Sequence, residues 1–404
     1  MTQETTIKKK TSLWQRLLLI VIGVALAFGL VIGVLYVFPD LLPYNQSIAR
    51  EAMAEQTIDV EFYSSDGDLF AWMPNRVRPP DHNDLLATYT VSWDADGFRV
   101  PAMVAESYPI VALGDSFTEG PNVATPWPDG VAQILGVPVR NYGYRAYGPQ
   151  ENADVAAEFL PQEKRSWILY GHFGGNDMLQ AQVPPEALIQ ERTPLQLIPF
   201  LAGRAANVVG FPLTDEDAPF DYPMPVIIGG SYWDMVILND YMWWLTAPEE
   251  GFQASNSYRV IGETLDTAAA AAPDACRAFI YMPPKGAIYF RYVRYGQDDV
   301  LAIHDRIVLL ENGDMEKERD PYTIDQLPQF LDSLEDQRDA MRQLAEEKGW
   351  IFIDLMEPMQ EAALQEQLLY YRYDTHWNQT GQDLAAQIIA DTMRQYEDEC
   401  PLRP

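Results

Sequence analysis

Ser116 stands in the stretch Val111-Ala112-Leu113-Gly114-Asp115-Ser116-Phe117-Thr118-Glu119-Gly120, where an apolar run gives way to polar residues. A serine can attack an acyl carbon if a base takes its proton and an acid holds that base in the right tautomer. Tyr373-Asp374-Thr375-His376-Trp377-Asn378, near the C-terminus, offers both partners in one Asp-x-His step. The chain has only four histidines. His82 falls in an N-terminal mixed segment and His304 in a long insertion, so His172 is the one rival to His376 as base. Asn176, in Gly174-Gly175-Asn176-Asp177, can donate a side-chain hydrogen bond to developing negative charge, or can cap a helix from a turn. Ser116 also has a second use: Ser116-x-x-Glu119 is a capping box, in which serine and glutamate satisfy the first N–H groups of a helix. The two uses are compatible, because a helix N-terminus presents N–H groups and positive potential to an oxyanion. A metal hydrolase built on Asp115, Asp374 and His376 is another reading, with a single imidazole.

These segments, in their order, resemble the SGNH or GDSL-type hydrolase superfamily. Gly114 to Thr118 resembles the block that carries the nucleophile, and Asn141 to Gly148 the glycine-bearing second block. Gly174-x-Asn176-Asp177 resembles the third block and Asp374 with His376 the last, so the likeness spans roughly residues 96 to 397. It implies an α/β, flavodoxin-like doubly wound parallel sheet, with Ser116 as nucleophile, His376 as general base then acid, and Asp374 as the orienting carboxylate. It further implies an oxyanion hole made by the Ser116 N–H, an N–H of the second block and the Asn176 side chain. Such chemistry uses no metal and no cofactor. Two departures stand out. The superfamily usually places Asp three residues before His, where this chain has Tyr373; Asp374 is two before. Alginate O-acetyltransferases of the superfamily also use Asp-x-His, although theirs precedes the serine, so esterase and O-acyltransferase both remain open. Counted from Asn141, the place of the oxyanion glycine falls on Ala146, which still has a backbone donor. Superfamily domains also serve as tethered binding modules, which keeps a non-catalytic reading in view.

Asp115, Gly148, Lys285 and Tyr289 are further candidates for contact with substrate. Met282-Pro283-Pro284-Lys285, with Tyr289, Arg291 and Arg294, is a basic and aromatic patch in an acidic chain, expected to meet an anionic or glycan part of the substrate.

To bring these residues together, the chain must build a scaffold from its short apolar runs. Strands are expected at 108–113, 137–142, 166–171, 277–282 and 350–354, and helices near 128–135, 150–160, 258–271, 325–348 and 379–397. This alternation predicts a parallel sheet with helices on both faces, which binds ligands beyond the carboxyl ends of its strands. Two long insertions, 178–257 and 284–324, interrupt it; the first carries an aromatic run from Tyr232 to Trp244 and reads as a lid or side wall.

The 404 residues and 48% hydrophobic content supply ample core. A net charge of -31 argues against nucleic acid and anionic lipid as partners, since both need a basic surface. Leu17 to Phe38 is an uncharged apolar run of a length that spans a bilayer. Lys8, Lys9, Lys10 and Arg16 precede it, which predicts a cytoplasmic tail at 1–16 and an extracytoplasmic remainder. A cleaved signal peptide is the alternative. Gly29 and Gly33 have the spacing of a helix-pairing motif and raise a homodimer as an expectation. Residues 39–104 read as a stalk and N-terminal subdomain, and 105–400 as the catalytic domain, which would act on an acylated small molecule or glycan. Cys276 and Cys400 allow one disulfide, which sequence alone leaves undecided.

Overall fold

Five short runs become the strands of the central sheet. They lie in a computed structural model that describes residues 22–23, 26–27, 29–30, 33–34, 50, 53–64, 84–162, 165–182, 224–237, 241–242, 245–294, 305–319 and 323–402. By internal contacts the chain divides into two units, Met1–Ala49 with Glu186–Asp215 and Arg50–Pro185 with Glu216–Pro404. In the first, most of the expected span 17–38 lies outside the described residues; those described are helical, and Ile22, Leu26, Leu30 and Val34 are exposed. Among the described residues no helix is long and apolar enough to cross a membrane.

The second unit opens with β1 (Thr57–Tyr63) and β2 (Leu85–Ser92), an antiparallel pair. The central sheet follows: β3 (Ile110–Leu113), β4 (Val139–Asn141) and β5 (Trp167–Phe173). An antiparallel hairpin, β6 (Met224–Ile228) and β7 (Ser231–Met235), comes before β8 (Cys276–Met282). A second hairpin, β9 (Asp305–Leu309) and β10 (Met315–Arg319), comes before the last strand, β11 (Ile351–Asp354). The sheet runs β11-β8-β5-β3-β4, parallel throughout. Counting only these five strands in chain order, that is 2-1-3-4-5, the flavodoxin-like arrangement. The two hairpins lie within the insertions. As expected for a sheet covered on both sides, β3, β4 and β5 are buried at every position.

Between the strands run α1 (Ser116–Glu119), α2 (Trp127–Leu135), α3 (Pro149–Phe159), α4 (Asp177–Gln180), α5 (Glu249–Gln253) and α6 (Asn256–Ala271). They are followed by α7 (Lys285–Tyr289), α8 (Leu327–Ser333), α9 (Asp336–Glu347), α10 (Met356–Leu364) and α11 (Gln379–Gln395). The chain leaves β3 toward β4 in one direction and crosses back to β5 in the other. Right-handed crossovers therefore put α2 and α3 on opposite faces. α2 packs against α11, and α3 against α6. The single helix expected at 325–348 is instead two, α8 and α9. At the break the Ser333 hydroxyl donates to the carbonyls of Phe330 and Leu245, a competitor to helical bonding.

A disulfide joins Cys276, at the start of β8, to Cys400, beyond α11, with the two Cα atoms 5.8 Å apart. A smaller core of Phe62, Tyr89, Val91, Trp93, Val123 and Tyr371 seats the β1–β2 pair against the loops that carry the site.

Candidate active site

β3 lies between β4 and β5, so the chain departs to one side of it and later returns to the other. A crevice opens at the carboxyl end of such a strand. Ser116 follows β3 and Asn176 follows β5, so both stand at that switch point. From Pro109 to Gly120, Ser116 is the one residue that is not buried.

The capping-box reading of Ser116 is corrected. Asp115 caps α1, its Oδ1 accepting the Phe117 N–H at 2.9 Å, because Asp115 has the non-helical backbone a cap requires and Ser116 is already the first helical residue. Glu119 turns away to Arg145, accepting its backbone N–H at 2.7 Å and pairing with its guanidinium at 2.5 Å. The serine hydroxyl is left for another partner.

That partner is His376. Its Nε2 lies 2.8 Å from Ser116 Oγ, and its Nδ1 lies 2.7 Å from Asp374 Oδ1. With Nδ1–H donating to the carboxylate, Nε2 is the acceptor that can take the serine proton. The short Asp-x-His spacing has a use: Asp374 Oδ1 also accepts the backbone N–H of His376 at 2.8 Å, so one oxygen holds both the ring and the main chain of the base. Burial alone would raise the Asp374 pKa. The charge of His376, its two hydrogen bonds and the charge of Lys285 outweigh burial and hold the carboxyl below its ordinary value. Phe117 stacks on Phe173 with ring centroids 3.9 Å apart and lies 5.0 Å from the His376 ring, supporting it from below.

The three donors expected to meet an oxyanion follow β3, β4 and β5. The Ser116 and Ala146 N–H groups and the Asn176 side-chain amide take no hydrogen-bond partner among the described residues. Ala146 sits in the left-handed region at φ 63°. Its turn is tied down on either side: Asn141 donates to the Thr118 carbonyl at 2.8 Å and accepts the Gly143 N–H at 2.9 Å, while Tyr144 N–H donates to the Gly114 carbonyl at 3.2 Å. A Cβ on Gly143 would come within 2.6 Å of the Thr118 Cβ, so glycine is what lets the second block close on α1.

The four candidates for substrate contact are all used internally. Asp115 is buried at its capping post, its pKa pushed well up by burial and by the charge of Asp177. Gly148 caps α3, its N–H donating to Glu151 Oε2 at 3.0 Å. Tyr289 is buried, its hydroxyl donating to the Gln367 carbonyl at 2.9 Å and accepting the Leu369 N–H at 3.0 Å. Lys285 is buried as well, its ammonium satisfied by carbonyl oxygens. Lys285 and Tyr289 leave the expected patch because α7, which begins after Pro284, is buried throughout, while Arg291 and Arg294 stay exposed. Of its arginines, Arg291 lies 3.7 Å from Glu335. His172 is fully buried in β5, with Nδ1 3.3 Å from Asp177 Oδ2, and His82 and His304 lie outside the described residues. Among the described residues no group of three His, Cys, Asp or Glu side chains is placed to share a metal ion.

Asn122 was not foreseen. Its amide donates to Asp374 Oδ1 at 3.3 Å, and its carbonyl accepts the Tyr371 hydroxyl at 2.6 Å. In sequence it is one more Asn beside a Gly-Pro turn, with nothing to link it to a residue 252 positions away.

Residues 323–401, which include Asp374 and His376, match the family described as ALGX: SGNH hydrolase-like domain, acetyltransferase AlgX. No curated protein matches the chain. Among solved structures it is similar to an extracellular lipase from Streptomyces rimosus, at 12% identity over 71% of this chain and 99% of that one, with a TM-score of 0.39. It is similar to phospholipase A1 from Streptomyces albidoflavus NA297, at 12% identity over 70% and 98%, with a TM-score of 0.36. A member of the lipolytic protein G-D-S-L family from Veillonella parvula DSM 2008 is similar at 12% identity over 72% and 100%, with a TM-score of 0.36. The sheet order, the serine–histidine–aspartate chain and the match of residues 323–401 to an SGNH hydrolase-like family together fit ester chemistry, that of an esterase or an acetyltransferase.

Proposed function

We propose that the protein cleaves an ester through an acyl-enzyme on Ser116, releasing the acyl group to water and so deacylating a small ester or an extracytoplasmic glycan. The observation that carries this reading is the continuous bond from Ser116 Oγ through His376 to Asp374, with three unpaired donors at the same strand ends. Ser116 Oγ attacks the ester carbonyl as its proton passes to His376 Nε2. The carbonyl oxygen becomes an oxyanion held by the Ser116 and Ala146 N–H groups and the Asn176 amide. When the tetrahedral adduct collapses, the C–O bond to the alcohol breaks and His376 returns the proton to the departing oxygen. Water then gives its proton to His376 and attacks the acyl-serine, releasing the acid and restoring Ser116. A sugar hydroxyl in place of water would make the enzyme an O-acetyltransferase, a reading favoured by the family match over 323–401.

Anchoring by residues 17–38, with the catalytic unit outside the cytoplasm, belongs to the same proposal. It is supported by the lysines before the apolar run, by the exposed apolar helix face at Ile22, Leu26, Leu30 and Val34, and by the disulfide, which suits an oxidising compartment.

The test uses p-nitrophenyl acetate with the full chain in detergent. The expected result is a burst of p-nitrophenol and a 42-dalton (about one acetyl,) mass gain on the peptide bearing Ser116, both lost in Ser116→Ala. Turnover by Ser116→Ala at the wild-type rate sinks the reading. Adding acetyl-free oligosaccharides during turnover separates hydrolase from transferase by whether acetate or acetylated sugar accumulates.

A further inference from the structure

Lys285 is a buried cation that the chemistry above does not use. It opens α7 directly after the Pro283-Pro284 turn and is 4% exposed. Its ammonium donates to the carbonyl of Asp374 at 2.5 Å, to that of Val236 at 2.8 Å and, more weakly, to that of Arg372 at 3.4 Å. Those carbonyls belong to two stretches far apart in sequence, the exit of β7 and the loop that carries the acid and base. The Val236 N–H in turn donates to the Arg372 carbonyl at 2.8 Å, so the two stretches are bound to each other as well as to the lysine.

Burying an ammonium costs several kcal/mol before its partners offset it. A neutral donor could bond the same carbonyls with less penalty, so the charge itself calls for a use. The groups close enough to act on the Asp374 carboxylate are the His376 ring, the Asn122 amide, the Lys285 ammonium and the hydroxyls of Tyr89 and Tyr371. Of the two cations acting on that carboxylate, His376 must gain and lose a proton in every cycle, whereas Lys285 has no part in the proton transfer. The geometry is equally specific. Asp374 Oδ1 bonds both the ring and the main chain of His376, so it depends on the path of the backbone, and the Asp374 carbonyl is where Lys285 grips that path.

We propose that Lys285 is a positioning residue for the Ser116 reaction: it clamps the main chain of Asp374 so that the carboxylate meets His376, and places a positive charge beside the acid–base pair. This rests on the reading of Ser116 as the acyl-accepting serine. Arginine is a poor replacement. Its planar head is larger than an ammonium and the turn is already crowded, with Met242 Sδ 1.7 Å from where a Cβ on Gly286 would stand.

The test compares wild type, Lys285→Met, Lys285→Arg, Asp374→Asn and the Lys285→Met, Asp374→Asn pair in acylation by p-nitrophenyl acetate across pH, with circular dichroism as the check on folding. Lys285→Met is expected to lower kcat up to about 100-fold with KM nearly unchanged, because the acid and base are misplaced rather than the substrate. The acid limb of its kcat/KM profile should move away from the wild-type position, since the imidazolium loses the opposing cation and the aim of the Asp374 carboxylate together. Its loss should add little to that of Asp374→Asn, as for residues acting as one unit. Lys285→Arg should keep the limb in place while losing rate, and it carries the same test should Lys285→Met not fold. A Lys285→Met enzyme with wild-type kcat and profile, a loss that adds in full to Asp374→Asn, or a Lys285→Arg enzyme with full rate overturns the proposal. If wild type itself shows neither burst nor acyl-Ser116, the reading beneath fails and the proposal with it, an outcome distinguished by appearing without any change at Lys285.

Discussion

The two walls of the site are built in different ways. The serine wall, α1 with the turns after β4 and β5, stands on neighbouring strands of one sheet; α1 and the turn after β4 bond each other between residues 114 and 145, while Gln382 and Gln337 donate to the carbonyls of Phe117 and Gly174 from farther off. The wall bearing Asp374 and His376 has no strand of the sheet beneath it. It hangs between β11 and α11 and is held by Asn122, Lys285 and the main chain of Val236, each far away in sequence. One wall rests directly on the sheet, and the other lies off it and takes its place only when Asn122, Lys285 and Val236 arrive.

That contrast can be broken by experiment, beginning with the largest effect. Asp374→Asn should lower kcat about 10,000-fold, because the amide favours the wrong tautomer of His376, with KM nearly unchanged; steady-state kinetics on an acetyl ester checks it. Asn176→Ala, in the serine wall, should cost about 100- to 1,000-fold in kcat through loss of one oxyanion donor. Because the Asn176 amide makes no bond among the described residues, the thermal midpoint should stay where it is, and a fall of several degrees would show that the side chain supports the fold. Asn122→Ala removes a single bond to a charged oxygen and should cost about tenfold. Its effect should be non-additive with Asp374→Asn and additive with Asn176→Ala, which a double-mutant cycle measures directly. Additivity with both would erase the distinction.

The same contrast governs how far the sequence could be read. The β3, β5 and β8 runs, the glycine turns and Asn176 were legible because strands and turns are decided by residues a few positions apart. Asp374 and His376 were legible as a motif. Their supports were not: Lys285 looked like a surface cation beside aromatics until the whole of α7 was seen to be buried, and Asn122 looked like an ordinary turn residue. The capping box at Ser116 was misread by one position, because Asp115 satisfies the same local rule one residue earlier. The helix expected at 325–348 broke at Ser333, where a tertiary bond to the Leu245 carbonyl helps a side chain to compete with the backbone.

Ala146 leaves one further consequence. A residue with a Cβ in the left-handed region costs about 1–2 kcal/mol, a charge that glycine would largely escape. Yet glycine would also free the turn to swing through conformations that alanine forbids. At this apex, some folding stability is exchanged for a single N–H that has fewer directions in which to point.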